Sequence, residues 1–326
     1  MNCFYFSRYR FYQPKLKHEL NFFMISDVHF SRKVKTETLR AITIQAVAQE
    51  PNYIIIAGDL IDSLDCIDSE YELRRLTAWL QNLGKVATTL IGLGNHDFYR
   101  QNPDHSHILS TKRHWYAEKP TRLIEAVKDI KNVYILDNEA FEDKEAYIFG
   151  FTQSPNYYEF DHDEEDRGTT VFNPGGENLD IMIADLDDLK PKLITKLPKK
   201  KAKIAIIHSP VYLEDSEVAA KLYEFDYTIS GHMHNGVVPP VLNDFWRSDR
   251  GLVAPGKLLF PHNARARVTS PFDKKIILGP IATIQDSSKP LTFLNRVFPA
   301  SIASLELTHN ANYLSKPDVK HQYLRF

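Results

Sequence analysis

Short, largely apolar runs punctuate this chain, and each ends in a small polar cluster. Phe22-Phe-Met-Ile25, Tyr53-Ile-Ile-Ile56, Thr89-Leu-Ile-Gly92, Ile204-Ala-Ile-Ile207 and Tyr227-Thr-Ile229 have strand length and lack polar alternation, so they predict strands buried on both faces, as in βαβ units. Between the first of them lie helical patterns. Thr36 to Gln49 carries Leu39, Ile42 and Val47 at helical spacing, and Glu70 to Leu83 repeats it with Leu73, Leu76, Leu80 and Leu83 before Gly84, the expected stop.

The alternation is regular from Phe22 to about Leu136 and resumes from Lys203 to Gly236. In the less orderly insert, Ala146 to Phe151 and Leu179 to Ile183 read as further strands, or a strand and a helix start. Asp161-His-Asp-Glu-Glu-Asp166 between them reads as a solvated loop rather than a second metal site, because it lacks the Gly turn and spaced ligands of a calcium loop. The opening Phe4 to Tyr12 mixes aromatic and basic residues; an edge strand is expected, with contact to a membrane surface as the other reading. After Gly236 the chain turns Pro-, Arg- and Lys-rich, with strand-like pieces at Lys275 to Leu278 and Ile302 to Leu307. Since polar clusters of both regular stretches belong to one chemistry, residues 1–326 are expected to form a single domain, the C-terminal part completing the second sheet and the substrate loops.

Composition narrows the function classes. Among 326 residues, 43% are apolar, ample for a core, and the formal net charge of −2 offers no bulk attraction to polyanions. Nucleic acid is therefore not indicated as a partner by charge, and no obligate protein partner is implied. Cys3 and Cys66 are far apart and lack metal-type spacing, so neither a disulfide framework nor a thiolate zinc site is implied. No apolar run approaches the roughly 18 residues of a membrane span, and Arg8 and Arg10 interrupt any signal-type apolar region. A cytoplasmic setting is expected.

The chemistry sits in five clusters, each just beyond a strand: Asp27-Val-His29, Gly58-Asp59-Leu-Ile-Asp62, Gly94-Asn95-His96-Asp97, His208-Ser-Pro210 and Gly231-His232-Met-His234. Ligands of open α/β sheets bind beyond the carboxyl ends of strands. Carboxylate, imidazole and amide donors in that position suit two divalent ions, which at roughly 3.5–4 Å separation clamp the attacking and leaving oxygens of a displacement at phosphorus. Asp59 is the expected bridge, with small Gly58 allowing the tight turn. Asp27 and His29, at alternate positions of an expected extended segment, reach one ion, to which His234 returns; Asn95, His208 and His232 serve the other. The donor mixture favours Mn²⁺, Fe²⁺, Zn²⁺ or Co²⁺. A hydroxide bridging such ions is the natural nucleophile, because divalent metals lower the pKa of bound water from about 15.7 towards about 7. His96 is the candidate catalytic group at the leaving oxygen, with Asp97 a candidate orienting partner. Asp62 either bonds a ligand histidine or caps the next segment.

These blocks, in this order, resemble the calcineurin-like metallophosphoesterase signature D-x-H, G-D-x-x-D, G-N-H-D/E, a lone His and G-H-x-H, over about Asn21 to Gly236. The resemblance implies an α/β fold, a four-layer α-β-β-α sandwich with two central mixed sheets, and hydrolysis of phosphomonoesters or phosphodiesters. It implies a first metal on Asp27, His29, Asp59 and His234, a second on Asp59, Asn95, His208 and His232, and His96 as the catalytic histidine. Within the family the chain is most similar to the bacterial branch near membrane-associated phosphoesterases and UDP-2,3-diacylglucosamine hydrolases. Its Gly231-His-Met-His-Asn-Gly-Val237 departs from the G-H-T-H-G-G-Q of that branch, which weighs against lipid-like substrates.

A small phosphoester is thus the expected substrate. A nuclease, a binding scaffold that has lost catalysis and a phosphoprotein phosphatase are the competing readings. His105, His107, Arg113 and His114 read either as a substrate-binding lid or as surface residues, and Arg247, Arg250 and His262 either as phosphate-binding cations or as solvated charge.

Overall fold

The structure is a computed structural model that describes residues 3–101, 115–158, 197–210, 222, 224–239, 242, 250–252, 264–265, 275–281, 298–315 and 317–325. The acidic run Asp161 to Asp166, the piece Leu179 to Ile183, and His105, His107, Arg113, His114, Arg247 and His262 lie outside the described residues.

Along the chain, strands β1 (Cys3–Tyr12) and β2 (Leu20–Ile25) precede helix α1 (Thr36–Gln49), β3 (Tyr53–Ala57), helix α2 (Glu70–Val86) and β4 (Thr88–Gly92). A ribbon of β5 (Tyr99–Gln101) and β6 (Trp115–Ala117) leads to helix α3 (Thr121–Val127), β7 (Val133–Ile135), β8 (Glu139–Glu142) and β9 (Ala146–Phe151). Then follow β10 (Ala202–Ile207), β11 (Tyr227–Ser230), β12 (Lys275–Ile277), β13 (Ala300–Thr308) and β14 (Asp318–Arg325). Among the described residues, one mixed sheet has the order β14-β1-β13-β2-β3-β4-β7 and a second the order β12-β11-β10-β9-β8.

The apolar runs divide by parity between two cores. Phe23 and Ile25 of β2, Ile54 and Ile56 of β3 and Ile91 of β4 pack on Leu39, Ile42, Leu76, Leu80 and Leu83 of the helices. Phe22, Met24, Ile55 and Leu90 face the opposite way, onto Ile148, Ile204, Ile206 and Ile229 of the second sheet. Strands with a core on each side need apolar residues at every position, which is why alternation is missing from them. Each large side chain so removed from water contributes about 1.5–3 kcal/mol. Phe149, Phe151, Ala205 and Ile207, of opposite parity in the second sheet, are buried as well, so its far face is also covered.

Several expectations are corrected. Val47 is 54% exposed; α1 buries Leu39, Ala41, Ile42, Gln45 and Ala46 instead, and ends at Glu50 in a left-handed conformation just before Pro51. Gly84 does not stop α2, which runs on to Val86. It is a packing glycine, since a Cβ there would lie 2.6 Å from the Lys131 carbonyl oxygen. Nor is β1 an edge strand: β14 pairs with it on one side and β13 on the other. Its Phe4 and Phe6 enter the helix-side core, and Tyr9 and Phe11 enter the core between the sheets, so these aromatics are not presented to a membrane surface. Arg10 donates to Glu306 of β13 at 2.6 Å. Among the described residues, the C-terminal part adds β12 to the second sheet, while β13 and β14 complete the first. No helix among the described residues is long and apolar enough to cross a membrane.

At their carboxyl ends the two sheets are laced together. Ile281 N–H, just beyond β12, donates to the Ser26 carbonyl just beyond β2. His208, just beyond β10, donates through Nδ1 to the Ala57 carbonyl at the end of β3 (2.8 Å). The polar clusters all lie at this seam.

Candidate metal centre

The loops after β2 and β3 run side by side, with Asp27 N–H on the Gly58 carbonyl (3.1 Å) and His29 N–H on that of Asp59 (3.0 Å). Close approach at the seam depends on small residues. A Cβ on Gly231 would sit 1.7 Å from Ser26 Oγ and 2.7 Å from Asp27 Oδ2; one on Gly58, whose φ is +83°, would strike the His208 ring. Asp27 and His29 are not extended as alternation would require. With Asp59, His232 and His234 they occupy the left-handed region, at φ between 45° and 61°. Such conformations cost on the order of 1–3 kcal/mol per residue and persist where the surroundings over-determine them.

Two groups of donors result, Asp27, His29 and His234 in one and Asp59, His208 and His232 in the other, each offering ligand atoms within 4.8 Å of one another. Asp59 stands between the groups: Oδ2 is 3.1 Å from His208 Nε2 and 3.7 Å from His29 Nε2, while Oδ1 accepts the His96 N–H at 2.9 Å. Asp27 Oδ1 lies 3.3 Å from His234 Nε2 and accepts the His232 N–H, and its Oδ2 accepts the Ser26 hydroxyl (2.6 Å). A third grouping, His29, Asp62 and His96, shares His29 with the first. Here His96 Nδ1 is already committed to the Asp62 carbonyl (2.8 Å), and the Asp62 carboxylate is 3.5 Å from His29 Nδ1, so these contacts set two imidazole rings.

Electrostatics keep the carboxylates of both groups ionised despite burial. Burial opposes charge on Asp59 and Asp27, yet His208 and His96 hold Asp59 well below the usual carboxylate range, and His234 and His208 hold Asp27 at about 2. His208 is pushed the other way: burial would lower its pKa, but Asp59 and Asp27 raise it to about 9. Asn95 Oδ1 and His208 Nε2 are buried without a hydrogen-bond partner. Because His208 Nδ1 faces a carbonyl, the neutral imidazole would set Nε2 and Asp59 Oδ2 as two lone-pair atoms 3.1 Å apart. Only a proton or a metal ion between them relieves that contact. The carboxylate, imidazole and amide donors therefore fit divalent first-row metals.

Asp97 does not orient His96. Its carboxylate accepts Ile61 N–H (3.0 Å) and Gly94 N–H (2.9 Å), tying the second and third clusters together, and burial followed by the Asp59 charge raises its pKa to about 7. Of the cations considered after the last cluster, only Arg250 is described; it precedes Gly251, which packs against Gly236 beside the His234 loop.

A family model described as calcineurin-like phosphoesterase matches residues 20–236, the stretch that carries all five clusters. The chain belongs to the calcineurin-like phosphoesterases. It is 24% identical over 229 residues to the uncharacterized metallophosphoesterase Cj0846 of Campylobacter jejuni, an alignment covering 70% of this chain and 48% of that protein. The chain thus spans about half the length of that curated relative. A dimetal phosphatase from Danio rerio aligns with 13% identity and a TM-score of 0.43, over 80% of this chain and 87% of that one. The protein TT1561 of Thermus thermophilus aligns with 11% identity and a TM-score of 0.38, over 66% of this chain and 82% of that one.

In this calcineurin-like phosphoesterase two further residues border the site outside the five clusters. Gln153, two positions beyond β9, accepts Ser209 N–H (2.7 Å) and the Tyr158 hydroxyl (2.5 Å) through Oε1. The buried Tyr158 ring stands edge-on to His232, with centroids 5.1 Å apart. The apolar pattern predicts β9 but not a role for the residues after it. A polar residue directly following an apolar run was the available signal.

Proposed function

We propose that this chain is a metal-dependent phosphoesterase, hydrolysing a small phosphodiester or phosphomonoester. Asp27, His29 and His234 would hold one divalent ion and Asn95, His208 and His232 a second, with Asp59 as the carboxylate common to both groups. The observation that carries the reading is the position of Asp59 Oδ2, which faces an imidazole nitrogen of each group. When bound, two such ions supply the positive charge that acidifies water and neutralises phosphate oxygens. The chain supplies the geometry and a proton donor. His96, its Nδ1 fixed on the Asp62 carbonyl, has Nε2 left to protonate the leaving oxygen. Burial, though opposed by Asp59, holds its pKa below the ordinary histidine value, so the imidazolium that carries the Nε2 proton is a stronger acid than usual and the minor form at neutral pH. Cys66 is a free thiol, which suits a reducing compartment, and we place the enzyme in the cytoplasm.

Metal-stripped protein is expected to be inert towards bis-p-nitrophenyl phosphate and p-nitrophenyl phosphate, and to gain turnover of at least one on titration with Mn²⁺. Bound metal without turnover of either ester, or of a wider phosphoester panel, would return the scaffold reading.

Metal uptake is also expected to depend on pH. In the metal-free protein His208 is protonated below about pH 9, and a metal must displace that proton. Apparent affinity should rise with pH, by about tenfold per unit for each proton displaced, and level off near pH 9. Calorimetry at pH 7 in buffers of different ionisation enthalpy should show protons released; affinity independent of pH between 6 and 9 would exclude His208 as a ligand.

A further inference from the structure

Strands β9 and β10 pair in parallel as far as Phe151 and Ile207, and Gln153 and Ser209 stand two residues further along each chain segment. There a side chain continues the ladder: Gln153 Oε1 accepts the Ser209 N–H at 2.7 Å. The same oxygen accepts the Tyr158 hydroxyl at 2.5 Å, so one amide oxygen receives two donors, one for each lone pair. The second bond closes the short turn Pro155–Tyr158 back onto the end of β9. Gln153, Tyr158 and Ser209 are all buried.

Both contacts lead to the second donor group. Ser209 adjoins His208 in the chain, and the Tyr158 ring lies against two imidazoles, 5.1 Å between centroids from His232 and 6.2 Å from His208. Those two imidazoles are themselves 5.2 Å apart. His208 is already tied to the first sheet through the Ala57 carbonyl, and Gln153 ties the next residue to the second. Other contacts set the first donor group. The Ser26 hydroxyl bonds Asp27, and the Asp62 carboxylate stands 3.5 Å from His29 Nδ1.

Resting on the two-metal phosphoesterase reading above, we infer that Gln153 is a positioning residue for the second ion, acting through Ser209 on His208 and through the Tyr158 ring on His232. An ion is held tightly when its donors keep the required spacing before it arrives, and the contacts behind the ligands maintain that spacing. Removing the Gln153 oxygen takes from the Tyr158 ring and from the chain at His208 the one atom that anchors both. Because the hydrolysis uses both ions, Gln153 sets the metal concentration at which the centre is complete.

The test titrates Mn²⁺ calorimetrically into the metal-stripped full chain, comparing wild type with Gln153→Met, Gln153→Glu and Tyr158→Phe. His234→Ala and His232→Ala weaken the first and second groups in turn, which assigns each binding event. Gln153→Met keeps the length of the side chain and loses the acceptor. It is expected to weaken the event assigned to His232 by about 10–100-fold and the other by less than about threefold. Gln153→Glu keeps oxygen acceptors for both donors and should bind both ions within about threefold of wild type. Circular dichroism and the melting temperature of the metal-free proteins report a merely structural role, which would weaken both events together. Should Gln153→Met fail to fold, Tyr158→Phe carries the test: loss of its hydroxyl should weaken the same event by about three- to tenfold, and no change overturns the inference. Equal weakening of both events, unchanged binding in Gln153→Met, or a Gln153→Glu variant as weak as Gln153→Met also overturns it, leaving the phosphoesterase reading intact. Wild-type protein that takes up no Mn²⁺ overturns both.

Discussion

Asp59→Asn should reduce metal-dependent phosphoester hydrolysis on the order of a thousandfold or more. Asp59 Oδ1 must remain an oxygen, because it accepts the His96 N–H, so the new amide nitrogen takes the place of Oδ2. That nitrogen then faces His208 Nε2 across 3.1 Å. In place of a negatively charged oxygen shared by two imidazole groups, the variant presents an N–H donor that satisfies His208 and offers nothing to a cation. Both metal positions are affected together, and bound metal should fall below two equivalents. Metal analysis beside turnover, with circular dichroism to verify folding, checks this. A variant that keeps two ions and wild-type turnover would remove Asp59 from the bridge.

His96→Ala should lower kcat by about 10²–10⁴-fold while leaving metal content unchanged. His96 touches the centre through its backbone N–H on Asp59 and its Nδ1 on the Asp62 carbonyl, and the alanine retains the first of these contacts. The loss should grow as the leaving alcohol becomes less acidic, since a nitrophenolate departs without help and an alkoxide does not. A series of esters of graded leaving-group acidity measures this directly. Equal losses along the series, or loss of a metal ion with the ring, would assign His96 to positioning instead of proton transfer.

Legibility of the fold varied with the range of the information needed. The runs Phe22 to Ile25 and Tyr53 to Ile56 announce strands with two buried faces because every position is apolar, and each of those faces found a core. Val47 and Gly84 misled for a shared reason. Helical spacing identifies an apolar stripe without saying which part of it the neighbouring strands cover, and a glycine near a helix end looks alike whether it caps the helix or admits another backbone, as Gly84 admits Lys131. Asp97 illustrates the limit within the site itself. Its place beside His96 suggests a pair, yet a carboxylate goes where unpaired N–H groups are, and those belong to Ile61 and Gly94.

The sequence by itself determined the family, the strand-and-helix alternation and the order of polar clusters beyond the strands, because apolar runs and donor types are local properties of the chain. Tertiary structure alone decided what the clusters do to one another. It brought β13 and β14 from the far end of the chain to enclose β1, put Asp59 between two imidazole groups, turned Asp27, His29, His232 and His234 into left-handed conformations, and set Gln153 and Tyr158 behind His208 and His232. The arrangements of the site depend on the seam between two sheets. Contacts across that seam join residues far apart in sequence, so their spacing along the chain carries no trace of them.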